Sequence, residues 1–229
     1  MSYRIETISL ALPYRLGRMS CYLVEADVGF VLIDTGSRNK RADLVRELEE
    51  TGCKPGKLNL IILTHGDFDH TGNGAFLREK YGTRTAMHID DMGMAERGDM
   101  FYNRRSVNAL IRTMAPILFR YGKADRFKPD LFLEEGDNLS EYGLDARVLH
   151  LPGHSRGSIG ILIASGDLFC GDLLENASGP GLGSIMDDLA AAKASVEKLK
   201  GLEIHTVYPG HGKPFAWAQF LRGHRGIPA

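Results

Sequence analysis

Four side chains of metal-ligand type fall within six positions of this chain, in Thr64-His65-Gly66-Asp67-Phe68-Asp69-His70. The segment follows the apolar run Leu58–Leu63, read as a buried strand, and precedes Ala75–Tyr81, read as a helix. It cannot be a regular strand with one polar face, because Asp69 and His70 are adjacent. As a loop curling around a cation it can turn all four side chains inward. The cation would also remove the repulsion between close carboxylates. A solvated acidic turn is the alternative that the motif alone leaves open.

Three further segments repeat one design, a ligand-type residue at the end of a strand. Leu151-Pro152-Gly153-His154 and Tyr208-Pro209-Gly210-His211 each place a histidine after a Pro-Gly turn, and Phe169-Cys170-Gly171-Asp172 ends a run on an aspartate. Strand ends that share one rim converge on one site. His88, His150, His205 and His224 lie outside these motifs and read as strand or surface histidines.

Strands are expected at Tyr3–Leu10, Ser20–Glu25, Gly29–Asp34, Thr83–Ile89, Leu131–Glu134, Ala146–Leu151, Ser158–Ala164, Leu168–Gly171 and Ile204–Tyr208. Helices are expected at Arg41–Glu50, at Asp187–Leu199 with Leu189, Val196 and Leu199 inward, and at Phe215–Leu221. A further helix is read from Val107, Leu110, Ile111 and Met114, kinked or ended by Pro116. Gly179–Gly183 reads as a flexible loop at the site. Successive strands broken by helices fit two sheets with helices outside them, and no linker divides residues 1–229. Between Glu96 and Lys128, eight Lys and Arg stand against three Asp and Glu. That stretch, within a helical insertion over residues 90–130, reads as a cover over the site or an interface, with Tyr102 and Arg105 among its candidate substrate contacts.

The ordered set Leu32-Ile33-Asp34-Thr35-Gly36, the His65–His70 motif, His154, Asp172 and His211 resembles the metallo-β-lactamase fold hydrolases. The resemblance implies an α+β fold, a four-layer αββα sandwich of two mixed sheets with a binuclear metal site at one edge. It implies that His65, Asp67 and His154 hold one metal, that Asp69, His70 and His211 hold the other, and that Asp172 bridges both. Asp34 would brace the metal loops by hydrogen bonds without touching a metal. The family pattern is His-x-His-x-Asp-His, so Asp67 stands where an imidazole is usual. Zinc is the first expectation for the two divalent ions, and the carboxylate opens the site to iron or manganese.

The implied activity is hydrolysis by a metal-bridging hydroxide, with Asp69 orienting it and passing its proton onward, on an ester, thioester or lactone. A di-iron oxidoreductase related to flavodiiron proteins, or a phosphodiesterase or nuclease of the same fold, is the alternative. A net charge of -1 argues against general nucleic-acid binding, so the expected partner is a small-molecule substrate, with a dimer plausible. No apolar run reaches membrane-spanning length and no secretory leader is legible. Three cysteines, Cys21, Cys53 and Cys170, cannot all pair within one chain and fit reduced thiols, so a cytoplasmic location is expected.

Overall fold

The computed structural model describes residues 3–104 and 109–223. Strands β1 (Ile5–Ala11), β2 (Arg18–Glu25), β3 (Phe30–Ile33), β4 (Leu58–Ile62), β5 (Arg84–Met87) and β6 (Leu131–Phe132) lie side by side in that order. The first three are antiparallel, joined by short connections. From β3 onward the pairs are parallel, because helices α1 (Arg41–Glu50) and, after the short α2 (Phe68–Thr71), α3 (Gly74–Tyr81) carry the chain back across the sheet. The insertion then contributes α4 (Met92–Arg97) and α5 (Ala109–Leu118).

The second sheet holds β7 (Ala146–His150), β8 (Ile159–Ile163) and β9 (Asp167–Gly171). A ribbon of β10 (Leu174–Glu175) and β11 (Gly181–Leu182) follows, and α6 (Leu189–Lys200) crosses over to β12 (Thr206–Pro209), parallel to β9. The chain closes on β13 (Phe215–Ala216) and α7 (Trp217–Gly223), giving the order β13-β12-β9-β8-β7.

The alternation of side chains along each strand makes the layers. Val31, Ile33, Leu60 and Ile62 meet Val148, Ile159, Ile161 and Phe169 between the two sheets. Their neighbours Leu32 and Ile61 face the other way, onto Leu44 and Leu48 of α1 and Leu77 and Tyr81 of α3. The outer face of the second sheet carries Leu149, Leu162, Leu168 and Val207 under Val196 and Leu199 of α6 and Trp217 and Phe220 of α7. Sheets covered on both faces explain the near-continuous apolar runs of β3, β4 and β8. The expected four-layer αββα sandwich is the fold.

Several local readings change. Phe215–Ala216 pairs with β12 as a strand, and the helix begins only at Trp217. Leu189, at the first turn of α6, is exposed, while Val196 and Leu199 point inward. Pro116 sits within α5, two residues before its end, so only the last turn feels the missing N–H. Leu110, Ile111 and Met114 of that helix are exposed, and Ala115 is its one buried residue; Val107 lies outside the described residues. Gly181–Leu182, expected to be loop, pairs with Leu174–Glu175. All three cysteines are buried and unpaired.

Candidate metal centre

Strands β4, β7, β9 and β12 end at one rim of the sandwich. The turns leaving them carry the His65–His70 loop, His154, Asp172 and His211, and the structure brings all of these together. Asp172 sits between two groups. Its Oδ1 is 3.3 Å from His70 Nε2 and its Oδ2 is 3.2 Å from His211 Nε2. The same Oδ2 is 3.8 Å from His65 Nε2 and 3.9 Å from His154 Nε2. Asp69 Oδ2 stands 3.6 Å from His211 Nε2. Each of the triads His65–His154–Asp172 and Asp69–His70–His211 offers one ligand atom per residue, all within 4.8 Å of one another. Gly210 permits this approach, since a Cβ there would collide with the Asp172 carboxylate and the His70 ring.

Every imidazole in the cluster is tied from behind. Nδ1–H donates to the Asp34 carboxylate in His70 (2.8 Å), to the Ile185 carbonyl in His154 (2.7 Å) and to the Arg18 carbonyl in His211 (3.0 Å). In His65, Nδ1 lies 3.0 Å from Thr64 Oγ1, whose own hydrogen goes to Asp34 Oδ2 at 2.8 Å. These acceptors fix the rings so that all four Nε2 atoms face the Asp172 carboxylate. His65 Nε2, His70 Nε2 and Asp172 Oδ1 are buried without a hydrogen-bond partner among the described residues. Buried polar atoms of that kind call for a ligand.

Asp34 has a price in backbone strain, with φ at +61° in the left-handed region. In return it accepts the Thr64 backbone N–H at 2.8 Å as well as the Thr64 hydroxyl and His70. Asp34 thus clamps both ends of the loop from Thr64 to His70.

Electrostatics points the same way. Burial raises Asp172, but His211 and His70 outweigh it and hold its carboxyl well below the usual range. The Asp172 carboxylate in turn pushes His211 up to about 9. Burial lowers His70, yet Asp172 and Asp34 overcome that and hold it well above the ordinary value. His65 goes the other way, driven down by burial and by the neighbouring His70 and His154. Protons on the imidazoles thus supply positive charge among the carboxylates, which divalent cations could supply in their place. Mixed imidazole and carboxylate donors suit zinc, iron or manganese.

Two residues in the site escaped the sequence reading. Asp91, fully buried, accepts from Gly66 N (3.0 Å), Ser155 Oγ (2.6 Å) and Gly157 N (2.8 Å), and so ties the His65 loop to the His154 loop. The acidic pair after Thr83–Ile89 was its only signal. Arg104, in the insertion, places a terminal nitrogen 2.8 Å from Asp67 Oδ1 and 3.1 Å from His154 Nε2. Asp67 Oδ2 is in turn 3.1 Å from His154 Nε2 and 3.8 Å from His65 Nε2. Burial raises Asp67, but Arg104 and His154 outweigh it and keep the carboxyl well below its usual range. Outside the ligand set, His88 and His150 stack face to face at 4.3 Å. His205 is exposed, and Arg105 and His224 lie outside the described residues.

Comparison with known proteins bears on this arrangement. The family model of the metallo-beta-lactamase superfamily matches residues 15–211. The chain belongs to that superfamily. The expected enzyme class, a metal-dependent hydrolase, stands with the family. Among curated relatives, a human (Homo sapiens) acyl-coenzyme A thioesterase is 27% identical over 222 residues, covering 90% of this chain and 77% of that protein. Hydroxyacylglutathione hydrolase of Haemophilus influenzae is 29% identical over 168 residues, covering 71% of this chain and 70% of that one. Among solved structures, a protein crystallised in a di-iron-bound form is 29% identical with a TM-score of 0.70, covering 93% of this chain and 97% of that chain. No helix among the described residues is long and apolar enough to cross a membrane.

Proposed function

We propose that this member of the superfamily is a binuclear metal-dependent hydrolase acting on a small-molecule thioester. The observation that carries the reading is Asp172, one carboxylate, its Oδ1 buried, facing the Nε2 atoms of four histidines held from behind. His65 and His154, with Asp67 through its Oδ2, would hold one cation. Asp69, His70 and His211 would hold the other, and Asp172 would be shared. Bound there, the ions would supply Lewis acidity and an activated water.

The chain's own residues set up the rest. Asp34, Thr64 and the Arg18 and Ile185 carbonyls orient the imidazoles. Asp69, buried beside His211, is the carboxylate assigned to take the proton of the attacking water and return it to the leaving sulfur. The carbon–sulfur bond breaks as the carbon–oxygen bond forms, and a carboxylic acid and a thiol leave. The thioester assignment draws support from the two relatives named for cleaving acyl-coenzyme A and hydroxyacylglutathione. Iron is a candidate metal beside zinc and manganese, since a structural relative at 29% identity holds two irons. The test is elemental analysis of protein purified without added metal, with a panel of acyl thioesters, oxygen esters and lactones. Two metals per chain and fastest turnover of a thioester are expected. Metal-independent turnover, or preference for a lactone, would overturn the reading.

A further inference from the structure

The two triads differ in one respect that the shared carboxylate hides. Around His70 and His211, no Lys or Arg pairs with Asp69 or Asp172 among the described residues. Around His65 and His154, a buried guanidinium already occupies one carboxylate. Arg104 is only 7% exposed at its side chain, as is Asp67, and the two are 2.8 Å apart. The same guanidinium nitrogen lies 3.1 Å from His154 Nε2, the atom that a cation there would need. Arg104 reaches this point from the insertion between α4 and α5, not from the rim that supplies the histidines.

We propose that Arg104 sets the occupancy of the His65–His154 half of the centre. Paired, Asp67 and Arg104 carry no net charge, and the guanidinium stands against Asp67 Oδ1, where a cation would otherwise approach. A cation entering that half must either share Asp67 with the guanidinium or move Arg104 aside, and two like charges at this distance in a buried site repel strongly. The Asp69–His70–His211 half carries no such competitor among the described residues. The halves therefore fill in order, the His70 half first. This rests on the reading of the cluster as a two-metal centre.

The experiment is calorimetric titration of the metal-free, full-length protein with Zn²⁺ and, separately, Mn²⁺, with metal counted by elemental analysis at each plateau. Wild type should bind in two phases at least about tenfold apart in affinity. Arg104→Met, and Arg104→Gln as a second variant, should tighten the weaker phase at least about tenfold by freeing Asp67, with the tighter phase unmoved. Asp67→Asn should weaken the second phase, since it leaves the guanidinium uncompensated, and adding Arg104→Met to it should restore binding beyond what the single changes sum to. A merely structural Arg104 would move both phases, or only the melting temperature. Equal affinities in wild type, or no tightening in either Arg104 variant, would overturn the proposal and leave the metal centre standing. No metal binding by any of the proteins would overturn both.

Discussion

The half of the centre around His70 and the half around His65 are built from the same kinds of side chain but braced differently. His70 is anchored by a buried carboxylate, Asp34, held in a strained backbone conformation, and His211 by a main-chain carbonyl from β2. These anchors belong to the sheets themselves. The other half shares Asp34 through Thr64, which backs His65, and adds borrowed contacts: Ile185 from the loop before α6, Asp91 after β5, and Arg104 from the insertion. A half braced from the sheets alone and a half that adds three peripheral segments should respond differently to the same perturbation.

The largest effect is expected where the halves meet. Asp172→Asn removes charge from the one residue facing all four imidazoles. Bound metal should fall from two per chain to less than one, and affinity should drop by more than the roughly 10–100-fold that loss of an outer partner costs. Elemental analysis after dialysis checks this; retention of two metals would break the picture of a shared carboxylate.

Asp34→Asn separates the halves. Asparagine tolerates the left-handed conformation at this position, so the fold survives. Its amide group, however, turns a donor toward His70 Nδ1 and pushes the ring proton to Nε2, the atom facing Asp172. Affinity of the tighter phase should fall about 10–100-fold, and the weaker phase should fall less, through Thr64 behind His65. Equal loss in both phases would mean that the halves are one cooperative unit.

Asp91→Ala probes the assembled half. It leaves the Gly66 and Gly157 N–H groups and the Ser155 hydroxyl without their buried acceptor, at a cost of about 2 kcal/mol. In a chain of this size that lowers Tm by roughly 4–8 °C, and the weaker metal phase should suffer more than the tighter one. Calorimetric melting and titration of the same sample test both statements.

The smallest effect concerns His88, stacked on His150 beside the assembled half. Burial is the main cause that lowers its pKa, and the His150 ring adds to it. Asp90, Asp91 and Glu134 oppose the shift without cancelling it. The unfolded chain therefore binds a proton more readily than the native one. The contribution is fully present above pH 6.5, the ordinary value, and is lost as pH falls below it. His88→Gln should show a smaller drop in Tm between pH 7.5 and 5.5 than wild type. An equal drop in both proteins would assign the acid sensitivity to other groups.

Much of this was legible because strands and their ends leave local marks. Arg41–Glu50 is helical over the same bounds that its apolar spacing predicts, and β4, β7, β8 and β9 fall within a residue or two of their apolar runs. The residues His65, Asp67, Asp69, His70, His154, Asp172 and His211 could be picked out because each follows a strand or a Pro-Gly turn. Asp91 and Arg104 were not picked out, because their meaning is wholly tertiary. Asp91 looks like one of two acidic residues in a turn until Gly66 and Gly157 are seen to approach it. Arg104 is one of eight basic residues in its segment, and only the fold selects it for Asp67. Phe215–Ala216 likewise reads as the start of a helix until β12 pairs with it.

The central claim is that two cations share Asp172. Its most direct test is the anomalous scattering of metal-loaded crystals of the full chain, collected on either side of the zinc or manganese edge. Two peaks are expected, roughly 3.5–4 Å apart, flanking the Asp172 carboxylate, one against His70 and His211 and the other against His65 and His154. A single peak at saturating metal, or peaks that leave Asp172 untouched, would contradict it.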